Sequence, residues 1–211
     1  MNKPKSILVA IPSYTGNIPL KVISRLMHLD LPEGFIARFA YAERCFIDDA
    51  RNGIAQQLLN HDDDYLFFCD DDQIPDRDIL TKLIELDKDI IGTPIPNRRG
   101  EKQIAVFNKK YNQMTEFKGT KEVGAIGMGS TLIKREVIEK MLKKWKAIFY
   151  FDVVKEKNIF VKYSEDVTFC RKAREMKFEV WCTDKCKSIH LGDQAEYWYT
   201  KGEYKVSCNG L

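Results

Sequence analysis

The stretch Asp62–Pro75, DDDYLFFCDDDQIP, decides how this chain of 211 residues can fold. Its centre, Tyr65–Cys69, is an uninterrupted apolar and aromatic run with acids on both sides and a proline beyond. So short a run predicts a buried strand of a parallel sheet, because a strand covered on both faces shows no polar alternation. The strand ends in three carboxylates, Asp70, Asp71 and Asp72.

These three carboxylates predict a divalent cation at the end of the strand. Side chains alternate along an extended chain, so Asp70 and Asp72 are expected to point one way and Asp71 the other. Adjacent acids repel one another unless a cation or donor groups compensate, and open α/β sheets bind ligands at the carboxyl ends of their strands. The alternative is a solvated acidic turn. The spacing of the surrounding residues excludes both an EF-hand and a P-loop.

The first half of the chain alternates between strand and helix patterns around this stretch. Strands are predicted at Ser6–Ile11, ended by Pro12, and at Phe35–Tyr41 and Asp89–Thr93. Helices are predicted after Pro19 with Leu20, Ile23, Leu26 and Met27 facing inward, from a cap at Asp48 or Asp49 through Leu59, and over Ile79–Ile84. Such alternation indicates a parallel sheet with helices on both faces.

The second half has shorter and more varied elements. Predicted strands are Ile104–Asn108, Met114–Phe117 and Glu179–Thr183, and predicted helices cover Ile138–Leu142 and the segment from Glu165 through Lys177. Gly124, Gly127 and Gly129 predict a flexible loop, which is interpreted either as a substrate loop or as a close approach between chain segments. Glu165 and Asp166 would favour a helix N-terminus in any case, and the residues alone favour a structural His190.

Composition places the chain among ordinary globular proteins. Apolar residues make up 44% and charged residues 31%, and the net charge of +3 gives no argument for a nucleic-acid partner. No run is long enough for a transmembrane helix. The six cysteines have neither disulfide-framework nor zinc-site spacing, so a reduced, cytoplasmic protein is expected.

Four motifs together resemble those of the GT-A glycosyltransferases, particularly the family 2-like branch. They are Ile11-Pro12-Ser13-Tyr14, Ala50-Arg51-Asn52, the DxD-like Phe67–Asp72, and Ser164–Cys170 followed by Ile189-His190. The resemblance spans about residues 7–192. It implies an α/β fold of the GT-A (Rossmann-like) type, in which helices flank a mostly parallel sheet and a smaller antiparallel sheet lies on the acceptor side. It also implies one domain over 1–211, with a nucleotide-binding half at about 1–95 and an acceptor-side half at about 96–211.

The resemblance also implies an activity and a set of site residues. A sugar would pass from a nucleotide-sugar donor, usually a UDP-sugar, to a glycan or other hydroxyl acceptor with the help of Mn²⁺ or Mg²⁺. Pro12, Ser13, Tyr14, Arg51, Asp70, Asp71 and Gly127 would bind the nucleotide sugar. Asp72 and His190 would hold the metal, and Asp166 would act as general base with Glu165 beside it.

A second resemblance concerns the length and ending of the chain. Both resemble the N-terminal glycosyltransferase domain of a large chlorella-virus protein. This would make the chain part of a longer one and place it in the host cytoplasm.

Several alternatives stay open at this point. One carboxylate base permits single displacement with inversion, but a retaining GT-A enzyme could present the same residues. A sugar nucleotidyltransferase usually needs a glycine-rich, basic loop after the first strand, whereas Pro12–Asn17 has one glycine and no basic residue. A non-catalytic carbohydrate-binding module would bind sugar without nucleotide or metal. The residues do not indicate the donor sugar, the acceptor or the oligomeric state.

Overall fold

The computed structural model describes residues 3–98, 102–156, 159–192 and 195–208, so the first two and last three residues of the chain lie outside it. The described residues form sixteen strands and five α-helices. The strands are β1 Lys5–Ser13, β2 Phe35–Glu43, β3 Tyr65–Cys69, β4 Gln73–Pro75, β5 Ile90–Gly92, β6 Ile104–Phe107, β7 Gln113–Met114, β8 Thr120–Glu122, β9 Ala125–Ile126, β10 Ser130–Lys134, β11 Asp152–Glu156, β12 Ile159–Tyr163, β13 Val180–Thr183, β14 Ser188–Leu191, β15 Ala195–Thr200 and β16 Glu203–Cys208. The helices are α1 Leu20–Met27, α2 Ile47–Asn60, α3 Ile79–Glu85, α4 Arg135–Lys144 and α5 Glu165–Glu175.

A seven-stranded sheet in the order β2-β1-β3-β10-β5-β13-β8 forms the centre of the fold. Five of its strands run in one direction, and β10 and β8 run in the other. Smaller antiparallel sheets pair β16-β15-β14-β4, β7-β6-β9 and β11-β12. This architecture confirms the predicted fold class. None of the helices in the described segments is long and apolar enough to span a bilayer.

The central sheet is covered by helices on both faces, as the alternating pattern predicts. Apolar residues of α2, α4 and α5 pack on one face, and those of α1 and α3 pack on the other. The strand β3 begins and ends where the sequence predicts it. Leu66 and Phe68 point to the first face, and Phe67 and Cys69 point to the second. The strand β3 is therefore buried on both faces, which explains why its residues are apolar without alternation.

Several predicted boundaries and faces are wrong. Leu20 and Met27 are 85% and 72% exposed, because they lie at the two ends of α1, whereas Leu26 is buried and Ile23 is partly buried as predicted. The strand β1 does not end at Pro12 but continues to Ser13. Proline has no backbone N–H to donate, but β3 pairs only with Ile7–Ala10, so Pro12 lies beyond that part of the sheet.

Two helix ends also differ from the prediction. Neither Asp48 nor Asp49 caps α2, because both lie inside its first turn and the cap position is Phe46. The helix α5 ends at Glu175, before Lys177, whose positive φ of 71° takes the chain out of the helical conformation.

The glycine segment Gly124–Ser130 is buried rather than flexible, and it contains β9. Its glycines permit close chain approach. A Cβ on Gly124 would lie 2.0 Å from the Asn108 carbonyl oxygen, and a Cβ on Gly127 would lie 2.9 Å from Ala105 Cβ. The segment therefore holds a fixed path through the interior.

Replacement of Gly124 should expose this constraint. We expect Gly124→Ala to lower the free energy of unfolding by about 1–3 kcal/mol, because the backbone at Asn108 must shift to admit the methyl group. Gly53→Ala is the matched control: that site in α2 is open, so alanine should stabilise the helix by about 0.5–1 kcal/mol. Urea unfolding of both variants measures the difference, and equal stabilities would contradict the close approach.

Candidate functional site

A cleft of about 530 Å³ lies beyond the carboxyl ends of β1 and β3. Its volume is within the usual range for small-molecule sites. The wall residues are Pro12, Tyr14, Thr15, Asn17, Pro19, Ile47, Asp70, Asp71, Asp72 and Arg98. The fold therefore brings five of the residues singled out in the sequence together around one space.

The three aspartates at the end of β3 make contacts with three different partners. The strand ends at Cys69, and Asp70–Gln73 form a turn in which Gln73 N donates to the Asp70 carbonyl at 3.0 Å. Because Asp70, Asp71 and Asp72 lie in this turn, the alternating side-chain directions predicted for an extended strand do not apply to them. Asp71 Oδ2 accepts a 2.5 Å hydrogen bond from Ser13 Oγ, which joins the ends of β1 and β3. Burial raises the pKa of Asp71 above its ordinary value, and the Ser13 bond opposes that rise.

Asp72 contacts His190, which β14 brings to the cleft by pairing antiparallel with β4. His190 Nε2 lies 3.2 Å from Asp72 Oδ2, and its Nδ1 lies 2.7 Å from the Pro96 carbonyl oxygen. Burial alone would lower the pKa of His190, but the bond to Asp72 and the charge of that carboxylate raise it. Burial alone would raise the pKa of Asp72, but the hydrogen bond and the charge of His190 lower it below its ordinary value.

The donor set of this pair fits a divalent cation. Because the Pro96 carbonyl can accept only from a protonated Nδ1, a neutral His190 would present its Nε2 lone pair on the side of Asp72. One imidazole nitrogen and one carboxylate oxygen suit Mn²⁺ somewhat better than Mg²⁺. Within the described residues, no three His, Cys, Asp or Glu side chains gather as a closed metal site. A cation here would therefore need further ligands from solvent or substrate.

Arg51, near the start of α2, lies beneath the cleft rather than in its wall. Its side chain is 3% exposed, and Nη2 donates to Asp70 Oδ1 at 3.0 Å. Its Nε lies 3.3 Å from Glu165 Oε1, and its guanidinium lies 5.2 Å from the Phe68 ring centroid. Burial would lower the pKa of Arg51, but the charges of Asp70, Glu165 and Asp166 raise it above its ordinary value. Arg51 thus joins a carboxylate that follows β3 to one at the start of α5.

Both carboxylates beside Arg51 bind protons more tightly than usual. Burial raises the pKa of Asp70, and Arg51 opposes that rise while Asp72 and Asp71 add to it. Burial likewise raises the pKa of Glu165, and the neighbouring Asp166 raises it further. Arg51 is therefore a counter-charge for a buried acid, Glu165, and for a partly exposed one, Asp70.

Asp166 is the more accessible of the two acids at the start of α5. Glu165 is buried, whereas Asp166 is partly exposed. The hydroxyl of Ser164 and the backbone N–H of Val167 both donate to Asp166 Oδ1, the latter at 2.8 Å. These contacts hold the carboxylate at the helix N-terminus.

The glycine segment connects Asp166 to the aspartates of the cleft. A Cβ on Gly127 would come within 3.6 Å of Asp166 Oδ2, and a Cβ on Gly129 would lie 2.8 Å from Asp70 Oδ2. Gly127 therefore borders the candidate base, and Gly129 borders the acids after β3. A Cβ on Gly129 would therefore crowd Asp70, whereas a Cβ on Gly127 would clash with Ala105 at 2.9 Å and only touch Asp166.

Two features, one in the cleft wall and one beside it, were not predicted from the sequence. Arg98 Nη1 lies 2.8 Å from Asp72 Oδ2. The only sequence signal for it is a basic pair in the loop after β5. Phe46 is 68% exposed, and its ring centroid lies 6.2 Å from that of Tyr14, which is 66% exposed. No periodic pattern marks this aromatic pair, because both residues precede or follow regular elements.

Comparison with known proteins shows a shared fold. No protein-family model matches the chain, and no curated protein matches its sequence. The crystal structure of A197 from STIV matches with a TM-score of 0.66 and 21% identity over 97% of this chain and 94% of that one. S. aureus TarS 1-349 in complex with UDP-GlcNAc matches with a TM-score of 0.50 and 15% identity over 95% of this chain and 60% of that one.

A third solved structure is less similar. Apo UDP-glucose pyrophosphorylase gives a TM-score of 0.42, which is too low to establish a common fold. Membership of the family 2-like branch and the link to a chlorella-virus protein stay predictions. What the comparisons establish is that this chain has a fold that also occurs in a protein crystallised with a nucleotide sugar.

Proposed function

We propose that this chain is a glycosyltransferase that uses a divalent cation to move a sugar from a UDP-sugar to a hydroxyl of a glycan acceptor. The observation that carries the proposal is the meeting of Asp72 and His190. These residues are 118 positions apart in sequence, yet they contact each other at the edge of a cleft of about 530 Å³. The fold shared with a UDP-GlcNAc-bound protein supports the same donor class.

Donor binding is assigned to the wall of the cleft. The exposed ring of Tyr14, beside Pro12, offers a stacking surface for a base. Ser13 fixes Asp71 by a hydrogen bond, and Asp70 is held by Arg51, so these two acids are positioned to accept hydrogen bonds from a ribose. Arg51 is buried, so it acts on the donor through Asp70 rather than by direct contact.

Asp72 and His190 would hold Mn²⁺ or Mg²⁺ at the diphosphate. The cation, when bound, supplies a Lewis acid for the negative charge that builds up on the departing nucleoside diphosphate. The chain itself contributes the orientation: Pro96 fixes the His190 ring, and Leu191 N donates to the Asp72 carbonyl at 2.8 Å.

Asp166 is assigned as the general base, and the displacement is proposed to invert the anomeric carbon. Its partly exposed carboxylate borders Gly127, and Ser164 and Val167 hold one of its oxygens in place. An acceptor hydroxyl becomes a competent nucleophile when such a carboxylate takes its proton. The alternative is a retaining mechanism, and the anomeric configuration of the product distinguishes the two.

A cytoplasmic location stays a prediction.

The test of this proposal is metal-dependent nucleotide binding. Calorimetry should show UDP binding that needs Mn²⁺, and Asp72→Asn or His190→Ala should weaken it by at least about 10- to 100-fold, the range for losing a residue that merely supports a metal ligand. Asp30→Asn, which changes an exposed aspartate paired with Arg77, is the matched control and should bind like wild type. Unchanged Mn²⁺ titrations in both site variants would remove these residues from the site. Sugar binding without nucleotide or metal would instead support a carbohydrate-binding module.

A further inference from the structure

Arg98 occupies the same carboxylate oxygen that His190 contacts. Its Nη1 lies 2.8 Å from Asp72 Oδ2, where His190 Nε2 lies at 3.2 Å, and it also lies 3.3 Å from the Leu191 carbonyl oxygen. The Arg98 side chain is half exposed and forms part of the cleft wall. The positive charge of Arg98 therefore already compensates the negative charge of Asp72, which is the residue assigned to the cation.

Arg98 in this position and a cation on the same oxygen exclude each other. A divalent ion binds a carboxylate oxygen at about 2.1 Å, well inside hydrogen-bonding distance. A guanidinium that stayed on Asp72 Oδ2 would lie within a few ångströms of a doubly positive ion and would be repelled by it. Cation binding between Asp72 and His190 thus requires Arg98 to leave.

A released Arg98 side chain would still belong to the cleft wall. The side chain is not buried, so it can rotate without disturbing the core. Arginine binds phosphate oxygens in a two-pronged geometry that few other side chains match. Among the ten cleft-wall residues that the structure describes, Arg98 is the one basic side chain, and Asp70, Asp71 and Asp72 lie in the same wall.

We propose that Arg98 is an exchangeable counter-ion that neutralises Asp72 until a divalent cation displaces it and then binds the diphosphate of the donor. The donor part of this inference rests on the proposed function. Cation and nucleotide would then bind cooperatively, because the cation releases the arginine and the arginine holds the nucleotide. Arg98 would discourage cation binding to the free protein and favour it when a donor is present.

The experiment compares wild type with Arg98→Gln and with the control Arg77→Gln. Arg77 is an exposed arginine that pairs with Asp30 at 3.0 Å, away from the cleft wall. MnCl₂ is titrated by calorimetry without nucleotide, and UDP is titrated at saturating Mn²⁺. We expect Arg98→Gln to bind Mn²⁺ about tenfold more tightly and UDP about tenfold more weakly, each shift reflecting one charge-assisted contact. Arg77→Gln should leave both affinities unchanged.

The two shifts of opposite sign are the signature of the exchange. Equal Mn²⁺ affinities in wild type and Arg98→Gln would overturn the competition for Asp72, and unchanged UDP affinity would overturn the contact with the donor. A wild type that binds Mn²⁺ but no UDP would overturn the proposed function as well as the donor contact. The Mn²⁺ titration would then still decide whether Arg98 and the cation compete.

Discussion

The Asp166→Asn variant should lose about 10²- to 10⁴-fold in kcat, the usual contribution of a general base. Asparagine keeps the shape of the side chain and can still accept the hydrogen bonds from Ser164 and Val167, but it cannot take the acceptor's proton. Donor and metal affinities should barely change, since the carboxylate acts on the acceptor hydroxyl. The measurement is the transfer rate at saturating donor and acceptor, with the product anomer identified by NMR.

Glu165→Gln is the companion variant for this prediction. Glu165 is buried against Arg51, so its replacement by the neutral glutamine should affect stability more than kcat. An Asp166→Asn enzyme within a few-fold of wild type would leave the carboxylate with only a helix-start role. A product that retains the donor's configuration would exclude the single displacement.

The Arg51→Met variant should be the most strongly destabilised of the substitutions considered. We expect a loss of about 3–5 kcal/mol in the free energy of unfolding, because Glu165 and Asp70 would lose the buried counter-charge that they share. Urea unfolding at neutral pH measures this loss. Arg77→Met, which breaks an exposed pair with Asp30, is the control and should cost about 0–1 kcal/mol.

The loss in Arg51→Met should also depend on pH in a defined direction. The pKa values of Glu165 and Asp70 are already raised by burial, and removal of Arg51 should raise them further. A folded state with raised carboxyl pKa values binds more protons than the unfolded state, so the variant should regain stability as the pH falls through those values. Glu165→Gln added to Arg51→Met should restore part of the loss at neutral pH. A deficit that is independent of pH would show that the lost arginine acted by packing over Phe68.

The parts of the fold that could be predicted are those where local pattern and tertiary environment agree. The apolar run Tyr65–Cys69 needs burial on both faces, and the central sheet supplies it, so β3 was predicted at its observed bounds. In α2, the residues Ile54, Ala55 and Leu58 face the protein core, as their helical spacing indicates. The prediction for α1 was correct only in part: Leu26 and Ile23 pack on the core, whereas Leu20 and Met27 lie at the two ends of the helix and are exposed.

The candidate site was less predictable than the fold, because most of its contacts join distant segments. The close approach of Gly124 to Asn108 depends on β6 and β9 meeting, which no local pattern indicates. Arg98 lies in a loop without periodicity, and its contact with Asp72 appears only once the loop is placed. The antiparallel pair of β11 and β12 was not predicted, since these strands mix apolar and charged residues on both faces. Asp72 and His190 were paired only through the family resemblance.

The placement of β10 between β3 and β5 has a consequence for the order in which the chain can acquire its structure. β3 is synthesised early and can pair with β1 at once, but its other edge pairs with Ser130–Lys134, which emerge some sixty residues later. At typical rates of synthesis, that interval lasts on the order of seconds. During it, a strand of buried character carries one row of unsatisfied backbone groups, the kind of edge that invites pairing with another chain. The acids Asp62–Asp64 and Asp70–Asp72 stand at both ends of this strand, where their charge disfavours such association before the nascent protein is complete.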